Sequence, residues 1–172
     1  KILSKGKYVG GEEVYKFEKK IAKICEVNYA VGLNSGTDAL TMALHLCGIR
    51  RGDEVITTPN SYIATAATIA NLGAKPVFVD VLPDLNMDPT KLKGAINSRT
   101  KAIMPVHLTG RVCDMETICK IARNNNLIVI EDAAQAIGSK FKGKMSGSFG
   151  KIGCFSAHPL KNLNACGDAG YL

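Results

Sequence analysis

The feature that most restricts this chain is its regular alternation between near-continuous apolar runs and segments with helical periodicity. Residues 101–107 and 127–132 read as strands with few polar positions. A half-solvated strand would alternate, so these two need cover on both faces. Residues 75–80 (Lys-Pro-Val-Phe-Val-Asp) read as another buried strand, and residues 54–58 and 29–33 as shorter β-like runs. The intervening segments predict helices over residues 13–25, with Val14, Phe17, Ile21 and Ile24 on one face, and from Ser35-Gly36-Thr37 to about Cys47. Three more are predicted, from Pro59-Asn60-Ser61 to about Leu72, near 89–96, and over about 115–124. Such alternation implies an α/β fold, a three-layer sandwich around a mostly parallel sheet joined by right-handed crossovers.

Size and composition narrow the function classes. The 172 residues suffice for a sizeable core, and 46% hydrophobic with 22% charged residues excludes a disordered or fibrous chain. No apolar run approaches the roughly 20 residues of a membrane span. Residues 1–10 lack the apolar stretch of a signal peptide. After Phe155 the chain runs through Lys161 into Gly167-Asp168-Ala169-Gly170-Tyr171-Leu172, which reads as the start of another strand with nothing to close the fold. Residues 1–172 are therefore expected to be the N-terminal portion and most of the large domain of a longer chain.

The formal charge of +7 suits an anionic small substrate. It does not predict nucleic-acid binding. The basic residues are scattered, and the seven lysines of the first 23 residues mix with glutamates as on a solvated helix face. Six separated cysteines show no C-x-x-C and no histidine pair at zinc-ligand spacing, so a metal site is not expected. They read as packing residues in a reducing cytoplasm.

Ligands on parallel sheets sit beyond the carboxyl ends of the strands. Four polar clusters fall there: Ser35-Gly36-Thr37, Ser61-Tyr62, Asp132 with Gln135, and Ser156 with Lys161. Ser35, Gly36 and Thr37 open a helix, where free amides and the dipole favour a phosphate; the alternative is an ordinary N-cap. Asp132 ends a buried strand and needs a partner, either a protonated ring nitrogen or the amides of a helix start. Lys161, among small and apolar residues, suits Schiff-base chemistry or is a surface lysine on a loop. Tyr62 either stacks on a flat ring or packs in the core. His107 reads as structural, and no role is assigned to His45 or His158.

The ordered segments S-G-T-D-A-L, G-D-E-V-I, G-A-K-P-V-F-V-D, H-L-T-G, I-E-D-A-A-Q-A and F-S-x-H-P-x-K-N resemble the DegT-type sugar aminotransferases. These are pyridoxal 5'-phosphate (PLP) enzymes of fold type I, the aspartate aminotransferase fold, and the resemblance spans about residues 10–172. It implies that Lys161 holds PLP covalently and moves protons. It also implies that Asp132 keeps the pyridine nitrogen protonated, so that the ring is an electron sink. By the same resemblance Gln135 contacts the ring hydroxyl, Tyr62 stacks on the ring, and Gly36, Thr37 and Ser156, with Ser35, cradle the phosphate. Departures are Ala157 where many members carry an aromatic residue, Lys151 after Gly150, and Ala169 for a frequent glycine. A branch with His in place of Lys161 performs dehydration, so the lysine here implies amino transfer.

The implied reaction is ping-pong transfer from an amino acid, usually L-glutamate, to a keto-sugar in amino-sugar biosynthesis. A nucleotide-linked keto-deoxysugar leads, with a free keto-sugar acid such as a keto-octulosonate, or a keto-cyclitol, as alternatives. A non-catalytic PLP-fold sensor or scaffold is the alternative of another class. The resemblance further implies a homodimer with shared active sites, and a C-terminal small domain absent from this sequence.

Overall fold

The computed structural model of the chain describes Ser4, Gly6 and residues 9–172. Lys1, Lys5 and Lys7, part of the stretch read as lacking a signal peptide, lie outside the described residues. The order is α1 (Glu12–Cys25), β1 (Gly32–Leu33), α2 (Gly36–Leu46), β2 (Glu54–Thr57), α3 (Ala64–Asn71), β3 (Lys75–Phe78), α4 (Pro89–Ala95) and β4 (Thr100–Ile103). Then come α5 (Met115–Asn124), β5 (Ile128–Asp132), a hairpin of β6 (Lys140–Phe141) and β7 (Lys144–Met145), β8 (Ile152–Ser156) and β9 (Gly170–Tyr171).

Seven strands form one sheet in the order β1-β9-β8-β5-β4-β2-β3. The five from β8 to β3 are parallel, while β9 runs antiparallel to both β8 and β1. The mostly parallel sheet is as expected. Period-two alternation sends neighbouring side chains to opposite faces. Val55, Ala102, Ile130 and Cys154 pack with α2 and α3 residues such as Leu44 and Ile69. Ile56, Ile103 and Val129 pack with Leu92 of α4 and Ile118 of α5. Both faces are thus covered, giving three layers. At the β8–β9 end α1 closes a third cluster with Ile21 and Cys25 against Phe155 and Tyr171, whose rings stack at 4.9 Å.

Helix ends follow local chemistry. The side chain of Asp114 accepts the Thr117 amide at 3.1 Å, and Asp88 accepts that of Thr90 at 2.9 Å ahead of Pro89. Each such cap is worth about 1 kcal/mol.

Four expectations are corrected. Strand β3 is the sheet edge and not buried: Phe78 is 51% exposed because only β2 flanks it. Helix α3 starts at Ala64, not at Pro59, because the Ser61 amide bonds back to Pro59 and residues 59–61 form a bend, with a turn at Ile63. Only Gly32–Leu33 of the 29–33 run pairs as strand, and Tyr29 is exposed. On α1 the buried positions are Ile21, Ala22 and Cys25; Val14 and Ile24 are exposed, since the face turned to Phe155 and Tyr171 carries Phe17, Ile21 and Cys25.

Candidate active site

A cavity of about 370 Å³ opens beyond the carboxyl ends of the parallel strands. All nine residues of the four clusters border it: Ser35, Gly36, Thr37, Ser61, Tyr62, Asp132, Gln135, Ser156 and Lys161. Strand β5 delivers Asp132, β8 delivers Ser156, and the loop from β8 to β9 delivers Lys161. The start of α2 and the turn before α3 supply all the others but Gln135, which lies in the turn after β5.

Asp132 is 4% exposed. Its Oδ2 accepts the Thr65 hydroxyl at 2.7 Å and its Oδ1 the Ala134 amide at 3.2 Å. Burial pushes the carboxyl above its usual range; the Thr65 and Ala134 donors and the positive charge of Lys161 pull the other way. A carboxylate so placed favours any cation brought against it.

At the start of α2, Ser35 is extended and its hydroxyl accepts the Asp38 amide at 3.0 Å, an N-cap. Among the described residues the amides of Gly36 and Thr37 meet no acceptor. Two free amides at the positive end of a helix suit an anion. A Cβ on Gly36 would lie 2.7 Å from that of Ser156, so the glycine lets the helix start abut the end of β8. This contact brings the Ser156 hydroxyl against the first residue of α2.

Lys161 sits on a short turn, half-buried, and its side chain has no partner among the described residues. The loop is closed at its base by Ala157 to Ala169 and Ala165 to Ala157 hydrogen bonds of 2.8 and 2.9 Å. Tyr62 is 69% exposed while bordering the cavity, so the core alternative for its ring is excluded. The Oε1 of Gln135 accepts the Thr109 amide at 2.8 Å, which leaves its Nε2 as the remaining donor group. Thr109 reaches that position with φ of 55°, in the 3-10 turn Leu108–Gly110.

His107 is fully buried yet touches the cavity. Its Nδ1 accepts the Cys113 amide at 3.3 Å, so Nε2 carries the proton and donates to Glu131 at 2.9 Å. Glu131 also accepts the amides of Gly147, Phe149 and Gly150 at 2.8, 2.7 and 2.6 Å. This network fixes one wall of the site and the loop leading into β8.

Sequence reasoning missed Thr65, Ser61 as a donor to it, and Asp168 and His158 on the rim. No local signal marks Thr65: Ser61 lies in a bend before α3, and the fold brings the two hydroxyls together.

The chain is 45% identical over 172 residues to a pleiotropic regulatory protein of Geobacillus stearothermophilus, covering 99% of this chain and 46% of that protein. It is 50% identical over 147 residues to GDP-perosamine synthase of Caulobacter vibrioides, covering 85% and 40%. The solved structure of S. venezuelae DesV in complex with a ketimine intermediate superposes with a TM-score of 0.95 at 42% identity, covering 99% and 46%. The chain thus spans about half the length of the relatives it matches. The sequence model of the DegT/DnrJ/EryC1/StrS aminotransferase family matches residues 1–172, and with the strand order and cavity described above this chain belongs to that family.

Proposed function

We propose that the chain forms the PLP-binding part of an aminotransferase that moves an amino group from an amino acid, best L-glutamate, to a nucleotide-linked keto-deoxysugar. The observation that carries this reading is the meeting of Lys161, Asp132, Tyr62 and the free α2 amides around one cavity. The name of the Caulobacter relative, a GDP-perosamine synthase, favours a nucleotide-linked sugar over a free keto-sugar acid or a keto-cyclitol. The Geobacillus relative's name is what keeps a regulatory, non-catalytic role in view. Retention of both Lys161 and Asp132 favours turnover.

The residues present fit PLP. The cavity offers two free amides with two hydroxyls for a phosphate, an exposed aromatic ring for a flat heterocycle, and a buried carboxylate with spare acceptor capacity. Lys161 would hold the cofactor, Asp132 its ring nitrogen, Gln135 its ring hydroxyl, Tyr62 its face, and Gly36, Thr37, Ser156 and Ser35 its phosphate. When bound, PLP supplies an electron sink that acidifies the α-carbon of the amino donor. Lys161 Nζ takes that proton as a base and returns it as an acid one step later. Asp132 would pair as a carboxylate with the ring nitrogen and so favour its protonated form. The Gly36 and Thr37 amides would hold the phosphate and so fix the cofactor within the cavity that Lys161 borders.

Further parts of the reading are a second copy of the chain completing the site and a cytoplasmic location. The first is supported by the exposed apolar rim of Tyr62, Ile63 and Leu160, the second by the cysteine usage. The test uses the full-length protein. Borohydride reduction followed by peptide mapping should place the cofactor on Lys161; a label on Lys140, Lys144 or Lys151 overturns the assignment. Among nucleotide-linked keto-deoxyhexoses, keto-cyclitols and keto-octulosonic acids, the first should consume the aminated cofactor fastest. Faster turnover of either competitor refutes the nucleotide-sugar reading alone.

A further inference from the structure

Thr65 lies on the first turn of α3 and is buried. A helical threonine usually turns its hydroxyl back to a carbonyl of its own helix. Thr68 does this, donating to the Thr65 carbonyl at 3.3 Å. The Thr65 hydroxyl instead leaves the helix and meets Asp132 Oδ2 at 2.7 Å, with the Ser61 hydroxyl 2.7 Å from its oxygen. An ionised carboxylate can only accept, so the one proton of Thr65 goes to Asp132 and Ser61 donates to Thr65. The main-chain amide of Ala134 holds the other carboxylate oxygen.

We propose that Thr65 is the positioning residue for Asp132, and that Ser61 sets the direction of the Thr65 hydroxyl, so that the carboxylate is presented to the cavity ionised and in one orientation. The assignment rests on the proposed role of Asp132 as partner of a cationic ring nitrogen. A carboxylate with a single donor on each oxygen keeps lone pairs free for that cation. The same turn carries Tyr62, whose carbonyl accepts the Thr65 amide at 3.1 Å. The hydroxyl chain therefore ties the residue at the face of the ligand to the residue at its edge. The titratable groups facing Asp132 are His107 after β4, Lys161 in the loop after β8, and Cys154 on β8. Helix α3 contributes hydroxyls only.

The test is carboxyl-carbon NMR titration of Asp132 in the full-length protein freed of PLP, with Asp132→Asn identifying the signal. Thr65→Val should raise the Asp132 midpoint by about one pH unit or more, the worth of one hydrogen bond to a charged group. Thr65→Ser, which restores the hydroxyl, should bring it back, and Ser61→Ala should give a smaller rise. An unchanged midpoint in Thr65→Val, or a midpoint in Thr65→Ser that follows the valine variant, overturns the assignment. Should Thr65→Val not fold, Ser61→Ala decides: a rise supports the hydroxyl chain and an unchanged midpoint overturns it. The titration needs no cofactor. A full-length protein that binds no PLP would sink the proposed function and leave the role of Thr65 toward Asp132 standing or falling on its own result.

Discussion

Glu131 and Asp132 are consecutive in β5, yet their carboxylates leave opposite faces of the sheet and do unrelated work. Asp132 turns to the cavity and the hydroxyl of Thr65. Glu131 turns inward to His107 and three amides of the loop before β8. The two-residue period of a strand makes this division possible without a bend or a bulge.

Glu131 accepts four donors, so Glu131→Gln would replace acceptor capacity with an amide NH₂ facing N–H groups. The expected loss is about 3 kcal/mol or more in unfolding free energy, from unpaired buried donors. Urea denaturation of the full-length protein measures it. A loss below about 1 kcal/mol would mean that the loop finds other acceptors.

Asp132→Asn separates chemistry from stability. The variant should retain PLP, while its half-reaction with glutamate slows by about a thousandfold, since the ring loses its anionic partner. Without cofactor the sign reverses. Burial raises the folded Asp132 carboxyl above its unfolded value, so the folded state binds the proton more tightly. Its contribution is most favourable below about pH 3.9 and declines as pH climbs through the raised value. The cofactor-free variant should therefore gain on the parent from about pH 4 upward, followed by urea titration at several pH values. Parallel curves would show that Asp132 is not destabilised by burial.

Gly36→Ala tests the abutment of α2 on β8. The added carbon, 2.7 Å from Ser156 Cβ, must push the helix start away from the cavity. PLP affinity should drop by about tenfold or more, with about 1–3 kcal/mol of overpacking. Equilibrium titration of the cofactor-free protein with PLP reads the first and urea the second. An unaltered dissociation constant would place the phosphate elsewhere.

Thiol reactivity gives a test that needs no substrate. Burial pushes Cys25 to about 11 and Cys113 to about 12, and lifts Cys47, Cys119 and Cys154 as well. Cys166 is exposed, on the Lys161 loop. Of these six, Cys166 should be carboxymethylated first in the native protein, and mass spectrometry after a short iodoacetamide pulse would show it. Rapid labelling of Cys113 would mean that the layer under α5 opens.

Much of this was readable in advance because buried parallel strands and their helices leave periodic signals. Helix α5 appears at the residues expected, and Asp132 stands at the end of its strand. The hairpin of β6 and β7 escaped notice, since four strand residues in two short, lysine-rich runs carry no period. The exposure of β3 was hidden for another reason. Position in the sheet order, not the apolar content of Val77 and Phe78, decides whether a strand has neighbours on both sides. Thr65 escaped because its partner is fixed by the fold, across sixty-seven residues of chain.

Strand β9 also bears on the order in which the chain can assemble during synthesis. Gly32 and Leu33 pair with Tyr171 and Gly170, and α1 packs on Phe155 and Tyr171. The first helix thus has no seat until nearly all the described chain has left the ribosome. At about 5–20 residues per second that wait is on the order of ten seconds. Meanwhile Phe17, Ile21 and Cys25 stay uncovered, a window in which a nascent-chain chaperone would find its binding surface on α1.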